Sequence, residues 1–389
     1  MSSSGIVINR EDYNIADIKN DKTFKSIFKK IEVRSTDMGE EILSRCVEKI
    51  SSAIEKYIPE TEGVEPQPDL AAKYPMIKTY AAQGVDDPTS TMRFSITQFG
   101  LHTMVLSGLH SANYIDPYTT NSNVYIVYDK KSLGANTQNF ECLTNDDVKL
   151  PSLTNDVAKS VLNTDDQKLR KYRLAQSCNA EYGNIFAVNV GTEKADIQAQ
   201  MVITINRVNG VYERDLAITM EFVPNNDLII YYGSTTADPW SNEWNTKTAQ
   251  TIDAAIGVAN YDIGHNFNTT GGGNAGCIGC VCQSTSQTAT HKGRGYTGST
   301  NPTGDPFDID YVAHEMGHQF AGNHTFNGNG GSCNGNRNAA TSMEPGSGIT
   351  IMAYAGICSP QDLAAHSIAY FHGVSYDEIT NFIQTGGGN

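Results

Sequence analysis

The segment His314-Glu315-Met316-Gly317-His318-Gln319-Phe320-Ala321-Gly322-Asn323-His324 constrains this chain more than any other stretch. A helix turns once in 3.6 residues, so His314 and His318 stand on one face, and the Gly322-Asn323 break lets the backbone reverse and return His324 towards them. Three neutral imidazoles then converge on one point. That is the ligand count of a catalytic Zn2+ site, in which three protein ligands leave the fourth position to water. Glu315, next to the first histidine, is placed to draw a proton from that water. The preceding residues support a helix: Asp305 can cap it, Pro306 fits the first helical position and Asp308 lies in the first turn. Ile309, Val312, Met316 and Phe320 supply its buried stripe. The alternative is a core helix carrying hydrogen-bonded histidines.

A chain of 389 residues exceeds one ordinary core, so two domains are expected, and a hydrophobic content of 39% suffices to bury both. The net charge of -15 with 28 basic residues and no basic stripe argues against a nucleic-acid partner. Acidity is equally compatible with a secreted enzyme that binds Ca2+, although no EF-hand-type loop occurs. Apolar stretches such as Leu228 to Tyr232 are too short to cross a bilayer, and no export signal follows Met1, so the protein is either cytosolic or has lost its signal. Cysteine usage favours export. Two of the eight cysteines, Cys46 and Cys142, precede residue 150; the other six, Cys178, Cys277, Cys280, Cys282, Cys333 and Cys358, can close three disulfides in an oxidising compartment. Cys277 to Cys282 would alternatively form a metal knuckle or a redox pair.

Asp37 to Ile58 has helical periodicity in Ile42, Cys46, Ile50, Ile54 and Tyr57. Met76 to Tyr80, Met92 to Ile96, His102 to Leu106 and Val124 to Tyr128 follow as strands of a mostly antiparallel sheet. The polar run Thr154 to Lys171, with the basic cluster Lys168, Arg170, Lys171 and Arg173 at its end, marks a boundary or a solvated face. Beyond it, Tyr172 to Ala175 opens a strand, and Ile197, Met201, Ile205 and Val208 mark a long helix. Leu216 to Val223 and Leu228 to Tyr232 read as strands, giving a sheet backed by a helix. Gly271 to Gly273 and Gly328 to Asn338 are too rich in Gly and Asn for regular structure. Ser375-Tyr376-Asp377-Glu378 is a capping box ahead of Ile379, Phe382 and Ile383, and Gly386 to Asn389 reads as a cut linker.

The triple-histidine segment, the cysteine-rich second half and Ile351-Met352-Ala353-Tyr354 together resemble the metzincin zinc peptidases, and more narrowly the bacterial reprolysin-like metallopeptidases. The narrower likeness rests on Phe307-Asp308-Ile309-Asp310-Tyr311-Val312-Ala313 before His314, on Glu344-Pro345-Gly346-Ser347-Gly348, on Tyr261-Asp262-Ile263-Gly264-His265, and less on Gly273-Asn274-Ala275-Gly276-Cys277. It covers roughly Lys171 to the end. It implies an α+β / α/β fold: a twisted mixed sheet with a backing helix, an active-site helix and a small lower subdomain, spanning residues 169–389.

In that resemblance His314, His318 and His324 are the zinc ligands, Glu315 is the general base, and Met352 is the methionine of the turn beneath the metal, with Met343 as a competitor. Tyr354 matches a tyrosine that reaches the metal or the oxyanion, or else packs in the core. His265 is expected to be structural. Two departures stand out: Ala321 occupies a position where the family has Gly with positive φ, so the turn shifts or strain is tolerated, and Thr325 follows the third histidine where one branch has Asp.

Similar peptidases are made as inactive precursors, so residues 1–168 are expected to form a helix-plus-β pro-domain. Cys142 would place a thiolate on zinc, unless it pairs with Cys46 or stays a buried thiol; Asp146 or Asp147 would serve the same blocking role. A trypsin-like protease acting near Lys168 to Arg173 would release the enzyme, a secreted endopeptidase acting on proteins or peptides. Two rival readings remain: a gluzincin-type peptidase with Glu344 as third ligand, and a non-catalytic binding protein on a peptidase scaffold, against which the intact Glu315 argues.

Overall fold

The computed structural model describes residues 6–9, 32–34, 68–84, 87–119, 124–134, 140–144, 166–385 and 387–388. The helix expected over Asp37 to Ile58, Cys46, Asp146 and Asp147 lie outside the described residues. The N-terminal part forms β1 (Ile6–Asn9), β2 (Glu32–Arg34), α1 (Pro68–Lys73), β3 (Lys78–Gln83), β4 (Thr91–Thr97), β5 (Gly100–Leu106), β6 (Asn113–Pro117) and β7 (Val124–Asp129). These strands make one antiparallel sheet in the order β2-β1-β7-β6-β5-β4-β3. The four strands expected from sequence are β3, β4, β5 and β7, because the β-branched and aromatic runs between turn residues fit a half-buried pleat.

A second sheet contains β8 (Glu141–Cys142), β9 (Arg170–Cys178), β10 (Ile218–Phe222), β11 (Ile263–Asn268), β12 (Gly272–Asn274) and β13 (Gly295–Gly298), ordered β10-β9-β11-β13-β12-β8. The first four in that order are mutually parallel, β12 runs antiparallel to β13, and β8 runs parallel to β12. Between the strands lie α2 (Ala180–Phe186), α3 (Glu193–Leu216) and α4 (Trp244–Ile256). β9 is continuously buried from Leu174 to Cys178, as a parallel strand covered on both faces must be.

Two strand expectations fail. Leu228 to Tyr232 is not a strand: Asn226–Ile229 is a 3-10 turn and only Ile230 bridges Cys178. The Asn226 amide takes the place of a ladder, accepting from Gln176 N at 2.8 Å and donating to Gln176 O at 3.0 Å. Conversely, Gly272 and Gly273 do form a strand rather than a loop, because close neighbours on both sides leave no room for a Cβ: one on Gly272 would lie 2.7 Å from Glu141 O, and one on Gly273 would lie 2.5 Å from Glu315 Cγ.

Helix α3 is buried on nearly every face because it lies between the two sheets, touching β4 and β5 on one side and β10 on the other. Its polar residues therefore need partners inside the protein. Asn206 donates to Ser95 Oγ at 2.9 Å, Arg93 pairs with Glu213, and Arg207 joins Asp116 of β6 to Asp308, at 3.0 Å from the latter. The segment Pro306–Ala313 is a π-helix that runs directly into α5 (His314–Gln319). Asp305 does not cap it. Its backbone is already helical (φ −53°, ψ −43°), and its buried carboxylate accepts from Lys130 and from the Tyr114 hydroxyl. Lys130 also lies 3.1 Å from Asp310, which is held in turn by His366 and Ser367.

Two disulfides form among the described residues, Cys277–Cys280 and Cys333–Cys358, rather than three. Cys178 and Cys282 remain thiols; Cys178 is sealed in β9, with its sulfur directed at Tyr231 O. No helix of the described residues is long and apolar enough to cross a membrane.

Candidate metal centre

Helix α5 carries His314 and His318 one turn apart, and the chain then reverses sharply. Ala321 adopts φ +78°, so the strain is tolerated and the turn does not shift. Its N–H bonds His318 O at 2.9 Å and the Gly322 N–H bonds Gly317 O at 2.8 Å, which closes the helix and swings His324 back. The last carbonyls of α5 are further capped by the loop of the Cys277–Cys280 disulfide: Gly279 N–H donates to His318 O, and Cys280 and Val281 N–H donate to Gln319 O.

Each imidazole is oriented by a backbone carbonyl. His314 Nδ1 bonds Ile351 O at 2.7 Å, His318 Nδ1 bonds Gly322 O at 2.7 Å, and His324 Nδ1 bonds Asn336 O at 2.9 Å. A carbonyl only accepts, so each Nδ1 carries the proton and each Nε2 presents a lone pair. The Nε2 atoms of His314 and His324 both lie 3.1 Å from that of His318. Three buried lone pairs at that spacing repel unless a cation lies among them, and a tetrahedral Zn2+ with bonds of 2.0–2.1 Å sets its nitrogens about 3.3 Å apart. Burial holds His314 down to about 3 and His318 well below the usual imidazole value, so both are neutral, as ligands must be. The donor set fits zinc.

A fourth ligand atom completes the cluster. Cys142 Sγ lies 3.6 Å from His318 Nε2, and the ligand atoms of Cys142, His314, His318 and His324 all lie within 4.8 Å of one another. It is the single such group of His, Cys, Asp and Glu among the described residues. Cys142 arrives on β8, whose neighbours alternate: Phe140, Cys142 and Thr144 are buried, while Glu141 and Leu143 are exposed. Thr144 Oγ1 donates to Glu315 Oε2 at 3.0 Å and accepts from Ala275 N at 2.9 Å. Glu315 itself is fully buried against Gly273.

Met352 packs against Gly317, the residue before His318 on α5. Its Sδ fills the space where a Cβ on Gly317 would come within 2.4 Å, whereas Met343 is 59% exposed. Tyr354 is buried with its ring 4.7 Å from that of His324 and its hydroxyl 3.4 Å from Cys142 O. Glu344 is not among the metal-facing groups: its Oε1 accepts from Thr325 Oγ1 at 2.6 Å and from Thr350 Oγ1, and its Oε2 from Ile349 N at 2.7 Å and Thr350 N at 3.1 Å. The pair Thr325 and Glu344 thereby ties the segment carrying His324 to the turn at Ile349 and Thr350. His265, buried and pushed down to about 4 by burial, bonds Gln319 and Thr297 and is structural.

The expected capping box does not form. Helix α6 (Gly373–Thr385) begins before Ser375, whose hydroxyl is buried without a hydrogen-bond partner, and His372 Nδ1 accepts from Val374 N instead. Glu378 is used elsewhere, accepting from Asn323 N at 2.9 Å and Asn323 Nδ2 at 2.7 Å, and so fixes the residue before His324. Sequence reading missed Glu378, Thr144 and Gly273 as parts of this site. For Thr144 the i, i+2 spacing from Cys142 was a usable signal; nothing local marked the others.

A comparison with curated proteins gives no match. The profile of the reprolysin-like metallopeptidases of family M12B matches residues 136–382, beginning upstream of β8 and ending within α6. With most of its length matched, this chain belongs to the reprolysin-like metallopeptidases of family M12B, which are zinc metallopeptidases.

Proposed function

We propose that the chain is a secreted zinc endopeptidase made as an inactive precursor, with residues 1–168 inhibitory and 169–389 catalytic. The observation that carries the reading is the convergence of three carbonyl-oriented imidazoles beside a buried carboxylate. His314, His318 and His324 hold the Zn2+. The bound ion supplies a Lewis acid that makes water nucleophilic near neutral pH and polarises the peptide carbonyl. Glu315 takes the proton from the attacking water on a carboxylate oxygen and returns it to the leaving amine nitrogen. Tyr354, whose hydroxyl now faces Cys142 O, is placed to donate to the substrate oxygen as charge develops there. Met352 gives the histidines an apolar floor.

In the uncut chain Cys142, clustered with the three histidines, would hold the ion as a fourth ligand and keep water from it, and the Thr144 hydroxyl bonds the base. Burial and Glu315 push the Cys142 thiol up, so its ionisation would depend on a bound cation. Arg170, Lys171 and Arg173 lie inside β9, where each pairs with β10, so an activating cut falls at or before Lys168. The two disulfides support an oxidising compartment. Protein or peptide substrates follow from the chemistry.

Glu315→Ala should retain stoichiometric zinc and lose proteolysis by at least about a thousandfold. Hydrolysis at the parental rate refutes the mechanism. N-terminal sequencing of the active form should begin near residue 169, and a start well inside β9 refutes the activation step.

A further inference from the structure

The chain reverses between its second and third metal-facing histidines at Ala321, whose φ of +78° strains any residue with a side chain, and that turn is backed from outside. The backing is the four-residue loop closed by the Cys277–Cys280 disulfide. Its Gly279 N–H donates to His318 O at 2.9 Å, while Cys280 and Val281 N–H donate to Gln319 O at 2.9 and 3.2 Å, so one loop satisfies the last carbonyls of α5. Gly279 also lies close against the turn: a Cβ there would come 3.1 Å from Ala321 Cβ and 3.3 Å from the Phe382 ring of α6. Gly276 and Gly279 take φ of +76° and +71°, and glycine leaves such conformations at little cost, so the loop owes its shape to the tie between its ends. The two bridges differ in access. Cys280, Cys333 and Cys358 are fully buried, whereas Cys277 is partly exposed.

We infer that the Cys277–Cys280 disulfide is a thiol-sensitive clamp on the metal centre: reduction by a small dithiol frees the loop, slackens the reversal that returns His324, and loosens the hold on the ion. This rests on the peptidase reading for its metal alone. The chemistry is thiol–disulfide exchange. A thiolate of the dithiol attacks Sγ of Cys277, the reachable end, and the electron pair of the broken S–S bond leaves on Cys280 Sγ, which takes up a proton. The dithiol's second thiolate then displaces Cys277 Sγ from the mixed disulfide, closing the reductant's own ring and leaving Cys277 as a thiol. Two electrons pass to the bridge and two protons end on its sulfurs. The caps on His318 O and Gln319 O then hang on an untied loop with two glycines in strained positions, and His318 Nδ1 is oriented by Gly322 O, just beyond the same turn. Outer contacts of this kind are worth roughly 10–100-fold in metal affinity. The centre therefore keeps its ion in an oxidising compartment and yields it in a reducing one, while the sealed Cys333–Cys358 bridge stays closed.

Three readouts on the full chain, none of them proteolysis, test it. Dithiothreitol is raised stepwise and the thiols formed are trapped by alkylation and mapped by mass spectrometry; Cys277 and Cys280 should open at a concentration about tenfold or more below that for Cys333 and Cys358. At the lower concentration zinc should pass to a competing chelator about tenfold or more faster than from the oxidised chain, and reoxidation should restore the slow rate. Cys277→Ser/Cys280→Ser should lose zinc at the fast rate with or without dithiothreitol, which also separates the clamp from any draw of the reductant itself on the metal; if that variant does not fold, the reduced and reoxidised parent carries the test. Amide hydrogen exchange on reduction should rise about tenfold or more at residues 318–324 and not in β9, as a local release requires and a general loosening of the fold does not. A zinc-loss rate indifferent to this bridge, opening of both bridges together, or exchange that rises equally in β9 overturns the clamp and leaves the peptidase reading standing. A chain that takes up no zinc sinks the peptidase reading, and hydrogen exchange then decides the clamp alone.

Discussion

Replacing Lys130 with Met should expose how the two sheets are held together. Burial alone would lower the Lys130 ammonium, but Asp305 and Asp310 outweigh it and raise it above its ordinary value. Burial in turn raises Asp305, even with Lys130 beside it. In Lys130→Met, Asp310 keeps His366 and Ser367, whereas Asp305 loses the ammonium and keeps the Tyr114 hydroxyl. Breaking a buried pair in this way costs about 3–5 kcal/mol, a factor of roughly 10² to 10³ or more in the unfolding equilibrium. The loss must depend on pH. Loss of the ammonium raises the folded Asp305 carboxyl further above its unfolded value near 3.9, so unfolding releases a proton and stability falls as pH rises, by at most about 1.4 kcal/mol per pH unit. Urea unfolding of the full chain at pH 4.5 and pH 7 measures both limits. Adding Asp305→Asn should restore most of the loss, because a neutral amide beside Met no longer buries a charge. A loss at pH 7 under about 1 kcal/mol, a loss independent of pH, or no recovery in the double variant would refute the assignment.

Other substitutions probe the floor and frame of the metal centre. Gly317→Ala drives a Cβ to 2.4 Å from Met352 Sδ and should cost about 1–3 kcal/mol while weakening zinc retention in a chelator competition. Unchanged retention contradicts the close approach. Glu378→Ala removes both bonds to Asn323 and should lower zinc affinity about tenfold or more, read by the same competition. Ala321→Gly relieves roughly 1–2 kcal/mol of left-handed strain but loses a buried methyl worth about 0.8 kcal/mol and adds about 0.5–1 kcal/mol of chain entropy, so denaturant unfolding should place it within about 1 kcal/mol of the parent. Replacing both Cys333 and Cys358 with Ala should cost about 2–4 kcal/mol in the same assay, and no change would argue against that bridge.

The clustering of the three histidines was legible in the sequence because it is local: helical spacing and one reversal bring them together. The long helix α3 and the antiparallel strands were also visible from periodicity. What escaped was set by partners far along the chain. Asp305 looks like a cap until Lys130, 175 residues away, claims its carboxylate. Ser375 and Glu378 have the spacing of a capping box, but Asn323 offers Glu378 two donors at the site. Leu228 to Tyr232 has strand composition, yet the Asn226 side chain satisfies Gln176 first. Gly272 and Gly273 read as loop because propensity scores their lack of a side chain, while the fold needs that lack to seat Glu315 and Glu141.

The sheet that holds the metal helix is finished by two residues from the far side of the polar boundary, β8 lying outermost against β12. Under the proposed activation those residues would depart, leaving the backbone of Gly272 to Asn274 as a bare rim with little side-chain bulk to shield it. Any extended polypeptide nearby becomes a candidate sixth strand, including a neighbouring molecule's own tail. The liberated form should therefore be least durable when concentrated and starved of substrate, and longest-lived when its rim is kept covered.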